Sequence, residues 1–135
     1  MAWQVIEKPQ GNWRVQPNLL SYERTCADYS WRTAEQEFIR SASRGLNIAY
    51  ECVGRHAQSS RGAHLAFRWL GKDGEVRDFS YGDLQRLSNR FANLLRGLGI
   101  GKGDRVFALA GRIPELYIAA LGALKNGSAF CPLFS

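Results

Sequence analysis

Residues 79–134 constrain the fold more than any other stretch, because their apolar side chains follow first a helical spacing and then short continuous runs. Ser80 can cap a helix, and Asp83 stands three residues later as its capping-box partner. The apolar face of that helix comprises Leu84, Leu87, Phe91, Leu94, Leu95 and Leu98. Its period predicts a helix that packs one face on a core. The helix is predicted to end at the glycines that follow, Gly97, Gly99, Gly101 and Gly103.

Two short apolar runs, residues 105–110 and 129–134, predict two buried strands. Between them Pro114 fits the first turn of a second helix, because the N–H that proline lacks has no intrahelical partner there. The side of this helix that can lie close on a sheet carries Leu116, Ala119, Ala120, Ala123 and Leu124. The Asn126-Gly127 pair ends the helix. A strand, a crossover helix and a strand make one right-handed parallel β-α-β unit, so we predict an α/β fold.

The residues before this unit predict further helices. A short helix is expected within residues 18–29, and Thr33 with Gln36 forms a capping-box pair that begins a second helix ending near residue 43. Asn47 can cap a third helix. The side of that helix predicted to face the core carries Ile48, Ala49, Cys52, Val53 and His56.

Residues 64–70 and 75–79 predict an antiparallel hairpin, because the Gly-Lys-Asp-Gly sequence between them supplies the backbone angles of a tight turn. We therefore expect two domains. The first is a helical N-terminal extension over residues 1–60, and the second is an α/β part over residues 61–135.

The chain is basic, with a formal net charge of +6 over 135 residues. The excess lies after residue 60, but it is scattered along the sequence and no basic run alternates with aromatic residues. We therefore do not expect nucleic-acid binding, which requires a clustered basic patch. Two interpretations of the excess charge stay open: a solvated face, or a face that meets an anionic partner such as a phosphorylated ligand.

No apolar run approaches 18 residues, so the sequence predicts no membrane span and no membrane partner. The N-terminus lacks the basic region and apolar core of a signal peptide. The three cysteines, Cys26, Cys52 and Cys131, are odd in number and have no paired spacing. These features predict reduced thiols in a cytoplasmic protein.

Two motifs that suggest ligand sites have simpler structural explanations. The Gly-Ile-Gly-Lys-Gly run at residues 99–103 follows a helix and precedes a strand, whereas a phosphate loop follows a strand and opens a helix. We interpret it as a helix-ending turn. Cys52 and His56 have the spacing of two zinc ligands, and His64 is nearby, but no second ligand pair accompanies them. The sequence therefore predicts no metal site.

The residues also supply no catalytic set on their own. Ser80 is assigned to helix capping, and no Gly-x-Ser-x-Gly elbow occurs. Cys131 lies in an apolar strand, where a thiol is usually inert. Glu115 follows Pro114 and is expected to complement the dipole of the second helix. We predict no catalytic residue in this chain.

Several segments in this order and spacing resemble the N-terminal end of acyl-CoA synthetases, and of acetyl-CoA synthetases in particular, which are adenylate-forming (AMP-binding) enzymes. They are residues 46–56 (LNIAYECVGRH), 79–84 (FSYGDL), 88–95 (SNRFANLL), 99–106 (GIGKGDRV), 113–115 (IPE) and 122–134 (GALKNGSAFCPLF). Residues 22–38 are weakly similar to the helical extension of acetyl-CoA synthetases. The resemblance implies an incomplete piece of the large N-terminal domain of such a ligase.

Enzymes of this family activate a carboxylate with ATP to an acyl-adenylate, release pyrophosphate, and pass the acyl group to coenzyme A (CoA), with Mg²⁺ assisting the first step. The family's phosphate loop with its lysine, its ribose-binding aspartate and its mobile C-terminal subdomain fall beyond residue 135. The resemblance therefore implies a fragment that is inactive alone and binds none of these cofactors tightly, with the remainder of the synthetase as its partner. Gly54 stands where acetate-type relatives often carry Asp, and Gly111-Arg112 replaces a more apolar pair, so the acyl substrate stays open.

The resemblance implies one cofactor-binding position. Phe134 and Ser135 fall where acetyl-CoA synthetases begin a turn at the CoA pocket, although a buried strand end explains them equally well. Arg112 follows a predicted strand end, which is the usual edge for ligands in α/β sheets, although a solvated arginine is the simpler interpretation. As an alternative to the fragment, the chain could be a stand-alone binding or assembly module that self-associates through exposed apolar surface.

Overall fold

The computed structural model describes residues 4, 11, 13–38 and 45–133 of the chain. Contacts between residues divide the chain into two compact units, Met1–Glu37 and Phe38–Ser135. Residues 45–60 therefore group with the α/β part. The predicted division into domains over residues 1–60 and 61–135 stays a prediction.

The first unit contains two short helices, α1 (Tyr22–Asp28) and α2 (Trp31–Gln36). Each begins at a serine, and the hydroxyl of Ser30 accepts a hydrogen bond from the N–H of Thr33 at 3.1 Å. The prediction that Thr33 caps this helix is therefore wrong. The cap is Ser30, three residues earlier, and its hydroxyl accepts from the Thr33 N–H. The predicted continuation to residue 43 passes into residues 39–43, which lie outside the described part of the chain.

The first helical segment described in the second unit contains a π-helical turn. The turn spans Tyr50–Gly54 and continues into the short helix α3 (Arg55–Ala57). Asn47 accepts a hydrogen bond from the Tyr50 N–H at 3.1 Å, as its predicted capping role requires. The predictions that Ile48 and Cys52 face the core are wrong, since both residues are exposed. A π turn holds more residues than an α turn, so the four-residue spacing used to predict that side does not apply there.

A β-hairpin follows, as predicted, with strands β1 (Leu65–Leu70) and β2 (Val76–Ser80) paired antiparallel. Arg68 pairs with Asp78 through two hydrogen bonds of 2.7 Å, and these bonds lower the pKa of Asp78. Phe79 is buried next to Phe67, with their ring centroids 5.7 Å apart. The hairpin thus presents an aromatic face to the core formed by Val53, Phe79 and Leu84.

Helix α4 (Tyr81–Gly97) begins with the predicted capping box. The Ser80 hydroxyl accepts from the Asp83 N–H at 3.1 Å, and the Asp83 carboxylate accepts from the Ser80 N–H at 3.2 Å. The apolar face is narrower than predicted. Leu84 and Leu95 are buried, whereas Leu94 and Leu98 are mostly exposed, because no described element covers that part of the helix.

Strand β3 (Arg105–Leu109), helix α5 (Pro114–Asn126) and strand β4 (Ala129–Leu133) form the predicted β-α-β unit. The two strands pair in parallel from Arg105 with Ala129 to Leu109 with Leu133. Gly127 ends α5 with φ 82°, a left-handed conformation that favours glycine. The prediction that both strands are buried is wrong for the described chain: Phe107 and Leu109 of β3 are 64% and 70% exposed, and Leu133 of β4 is 47% exposed.

Helices α4 and α5 pack closely on one another. A Cβ atom at Gly122 would lie 2.8 Å from the Phe91 ring and 2.9 Å from the Ser88 carbonyl oxygen, so glycine permits this approach. Ser88 and Ala123 are completely buried at the contact. Among the described residues, no helix is long and apolar enough to cross a membrane.

Candidate functional site

The carboxyl ends of β3 and β4 lie side by side, since Leu109 pairs with Leu133. In open α/β sheets, ligands bind at this edge. The chain leaves β3 through residues 110–113 and enters α5 at Pro114, so this loop forms the described part of the edge.

The hairpin holds this loop in place. The indole N–H of Trp69 donates to the Arg112 carbonyl oxygen at 2.6 Å, and Arg77 forms an ion pair of 3.3 Å with Glu115. Arg77 also lies over the Phe79 ring, 5.5 Å from its centroid. Glu115 is in the first turn of α5, where its charge complements the helix dipole as predicted.

Of the residues predicted to bind a ligand at this edge, the structure describes only Arg112. Arg112 is exposed, and its guanidinium has no hydrogen-bond or ion-pair partner among the described residues. Its role in ligand binding stays a prediction. Phe134 and Ser135, the positions predicted for the edge of the CoA pocket, lie outside the described residues.

The other candidate residues do not come together in one site. Cys52 is exposed, whereas His56 packs against Tyr81 with ring centroids 5.0 Å apart. The Ser80 hydroxyl is occupied by its bonds to Asp83. Within the described residues, no three metal-ligating side chains gather into a group. Cys131 is partly buried in β4, and all three cysteines are free.

A polar groove of about 1000 Å³ lies between the π-helical turn and helices α4 and α5. Three cations line it, Arg96, Lys102 and Lys125, and no acidic residue does. Six side-chain amides also line it: Asn47, Gln58, Gln85, Asn89, Asn93 and Asn126. Sequence reasoning missed this groove, because its cations stand far apart along the chain.

Neutral groups hold two of these cations. The Lys125 ammonium donates to the Asn89 side-chain oxygen at 2.8 Å and to the Ser88 hydroxyl at 2.9 Å. Arg96 donates to the Asn126 side-chain oxygen at 3.2 Å. Burial lowers the pKa of Lys125. The groove therefore carries positive charge that no described carboxylate within salt-bridge distance neutralises.

Comparison with known proteins identifies the family. The model of the AMP-binding enzyme family matches residues 54–135, which is more than half of the chain. The chain belongs to the AMP-binding enzyme family. The family resemblance seen in the sequence is thus confirmed, and with it the prediction that the chain is the N-terminal part of an acetyl-CoA synthetase-like, adenylate-forming enzyme.

Curated relatives of this family member include several acetyl-coenzyme A synthetases. The protein from Bacillus subtilis is 42% identical over 118 residues, which cover 87% of this chain and 20% of the relative. The protein from Gemmatimonas aurantiaca is 32% identical over 127 residues, which cover 93% of this chain and 19% of the relative. The chain therefore spans about a fifth of the length of these relatives.

Solved structures agree with this assignment. An acyl-CoA synthetase from Brucella canis matches 84% of this chain and 20% of its own, with a TM-score of 0.74 and 30% identity. An acetoacetyl-CoA synthetase from Streptomyces lividans matches 65% of this chain and 13% of its own, with a TM-score of 0.60 and 28% identity. The predicted α/β fold, an incomplete piece of a larger domain, is confirmed by these matches.

Proposed function

We propose that this chain is a part of an acetate- or acyl-CoA ligase. The complete enzyme would activate a carboxylate with ATP to an acyl-adenylate, release pyrophosphate, and transfer the acyl group to the thiol of CoA. The named activity of the Bacillus subtilis and Gemmatimonas aurantiaca relatives, over most of this chain's length, supports the proposal.

One structural observation carries the proposal that further polypeptide completes the fold. The described parallel sheet has two strands, and both leave large apolar side chains exposed: Phe107, Leu109 and Leu133. Parallel strands are stable when helices or further strands cover both of their faces. The remainder of a synthetase chain would supply that cover, so the chain's own role is that of a scaffold.

The described carboxyl edge fits one part of a phosphate-bearing cofactor. Gly111 leaves the backbone open to close approach, and Arg112 presents one guanidinium beside it. The backbone of Arg112 is held by Trp69, and we propose that the exposed guanidinium would meet a phosphate of ATP or CoA at this edge. Mg²⁺, when bound to ATP, supplies neutralisation of phosphate charge. We propose that the other groups holding ATP, Mg²⁺ and CoA come from the remainder of the synthetase.

The acyl substrate and the compartment follow from weaker observations. The named relatives favour acetate, whereas Gly54 and the Gly111-Arg112 pair depart from the acetate-type pattern.

Three free cysteines favour a reducing compartment, so we propose the cytoplasm. No observation favours the alternative of a stand-alone binding module.

ATP–pyrophosphate exchange with acetate tests the proposal. We expect no exchange with the 135-residue chain and acetate-dependent exchange with a polypeptide that continues its reading frame over the length of the relatives. Exchange by the 135-residue chain itself would contradict the scaffold role. A longer polypeptide that folds but activates no carboxylate would contradict the ligase assignment.

A further inference from the structure

We propose that the groove between the π-helical turn and helices α4 and α5 binds a phosphate-bearing small molecule. This proposal is independent of the ligase assignment, because every residue it uses lies in the second unit and outside the carboxyl edge of β3 and β4. It takes up one of the two interpretations of the chain's excess positive charge, a face that meets an anionic partner.

The charge of the groove is the first argument. Its lining has three cations and no acidic residue. Asp104 is the carboxylate nearest to Lys102 in sequence, and it accepts a hydrogen bond of 2.7 Å from the Gly101 N–H. An anion in the groove would therefore meet cations without having to displace a described carboxylate from them.

The helix ends nearby do not account for three cations. Helix α4 ends at Gly97 and α5 ends at Asn126, and each carboxyl terminus carries a partial charge of about −0.5. Two such ends neutralise roughly one elementary charge. Lys125 moreover directs its ammonium toward Ser88 and Asn89, in the middle of α4 and away from both ends. About two positive charges remain for a ligand.

The state of Lys125 is the second argument. Its ammonium is half-buried, and all its described partners are neutral oxygen atoms. Burial of a cation without an opposite charge is unfavourable and lowers its pKa, as is found here. A bound phosphate group would supply the missing charge.

The opposite wall fixes the shape of the groove. The Tyr50 ring lies so close to Gly54 that a Cβ atom there would stand 2.6 Å from the ring. Any side chain at position 54 would thus push Tyr50 from its present position. The volume of about 1000 Å³ is at the upper end of the range that small-molecule sites occupy.

Calorimetric titration of the 135-residue chain with pyrophosphate and with inorganic phosphate tests the proposal. We expect saturable binding of pyrophosphate, and about tenfold weaker binding for Lys102→Ala, the loss that one charge-assisted hydrogen bond entails. Lys102 is exposed and makes no described hydrogen bond, so this variant should fold normally. Lys72→Ala is the matched control, because Lys72 is an exposed cation in the hairpin turn, outside the groove lining.

A second pair of variants separates charge from shape. Asn93 is exposed on α4 and lines the groove, so Asn93→Asp adds a negative charge with nearly the same shape, whereas Asn93→Ser adds none. We expect Asn93→Asp to weaken binding by about tenfold and Asn93→Ser to leave it nearly unchanged.

Three outcomes would overturn the proposal. They are no binding of either phosphate probe by folded chain, equal weakening by Lys72→Ala and Lys102→Ala, and binding of a glutamate-rich peptide without binding of pyrophosphate. None of them bears on carboxylate activation, so a failure here is distinguishable from a failure of the ligase assignment.

Discussion

The helix pair α4–α5 and the strand pair β3–β4 come from the same stretch of chain, yet the described structure covers them unequally. Between the helices, Ser88 and Ala123 are completely buried, and the backbone at Gly122 touches Phe91. On the strands, Phe107 and Leu109 remain mostly exposed. The helix contact is therefore packed within this chain, whereas each described strand pairs on one side only and leaves large apolar side chains uncovered.

This difference shows which part of the fold the chain can stabilise alone. Burial of apolar surface stabilises by about 25 cal/mol per Å², so exposed strand residues contribute little until another layer covers them. Substitutions at the helix contact should therefore change the free energy of unfolding of this chain, and substitutions on the strands should not.

Gly122→Leu should have the largest effect. Its side chain would collide with Phe91 and with the Ser88 carbonyl oxygen. We therefore expect the free energy of unfolding to fall by about 3 kcal/mol, the upper end of the range for overpacking. Urea denaturation followed by circular dichroism measures it. Gly97→Ala is the control, because a Cβ atom there meets nothing within 4 Å, and it should stabilise by about 0.5–1 kcal/mol. Equal stability of Gly122→Leu and the parent chain would contradict the described contact.

Ser88→Ala should lower the free energy of unfolding by about 1–2 kcal/mol. The hydroxyl donates to the Leu84 carbonyl oxygen at 2.6 Å and accepts from Lys125, and neither bond survives the change. The same denaturation assay measures the loss. Asn93→Ala, on the exposed side of α4, should change stability by less than about 0.5 kcal/mol. If both variants behave alike, the buried hydroxyl is not a stabilising contact.

Ser80→Ala should cost about 1 kcal/mol through loss of the α4 cap. Hydrogen bonds from the Ser80 hydroxyl, from Arg86 and from the Ser80 N–H lower the pKa of Asp83 below its ordinary value of 3.8. A carboxyl group with a lowered folded-state pKa stabilises above its unfolded pKa and loses that effect as pH falls through the folded value. The stability difference between the parent chain and Ser80→Ala should therefore narrow as pH falls below about 4, whereas the part that comes from the cap on the Asp83 N–H should remain. A constant difference from pH 7 to pH 2 would contradict this.

Phe107→Thr should have the smallest effect in this chain, within about 0.5 kcal/mol, because the exposed ring contributes little packing and threonine keeps a strand preference. It should also reduce binding of a hydrophobic dye. In a longer polypeptide that covers the strands, the same substitution should cost about 3 kcal/mol or more. Equal losses in both chains would show that strand packing does not distinguish them.

Local signals in the sequence predicted most of the second unit. The Ser80–Asp83 box, Pro114 and the Asn126-Gly127 stop each depend on neighbouring residues alone, and the structure has each of them as predicted. The cap of α2 was predicted wrongly at Thr33, because the Ser30 hydroxyl accepts from the Thr33 N–H and caps the helix three residues earlier.

Burial and the candidate sites depend on residues that are distant in sequence. A short apolar run predicts a strand, but what covers it comes from elsewhere, which is why the burial of β3 was predicted wrongly. The three groove cations stand at positions 96, 102 and 125, too far apart to form a basic run in the sequence. The fold alone brings Arg96 and Lys125 to the same surface through Asn126 and Asn89.

The π-helical turn at Tyr50–Gly54 has a consequence for the length of this segment. Such a turn accommodates one residue more than an α-helix of the same rise. Deleting a single residue within it would restore regular winding and rotate everything after it by about 100° relative to the preceding turn. His56 would then leave the ring of Tyr81, and the spacing between Asn47 and α3 would shorten. A change of one codon here would therefore remodel the surface around His56 and Tyr81.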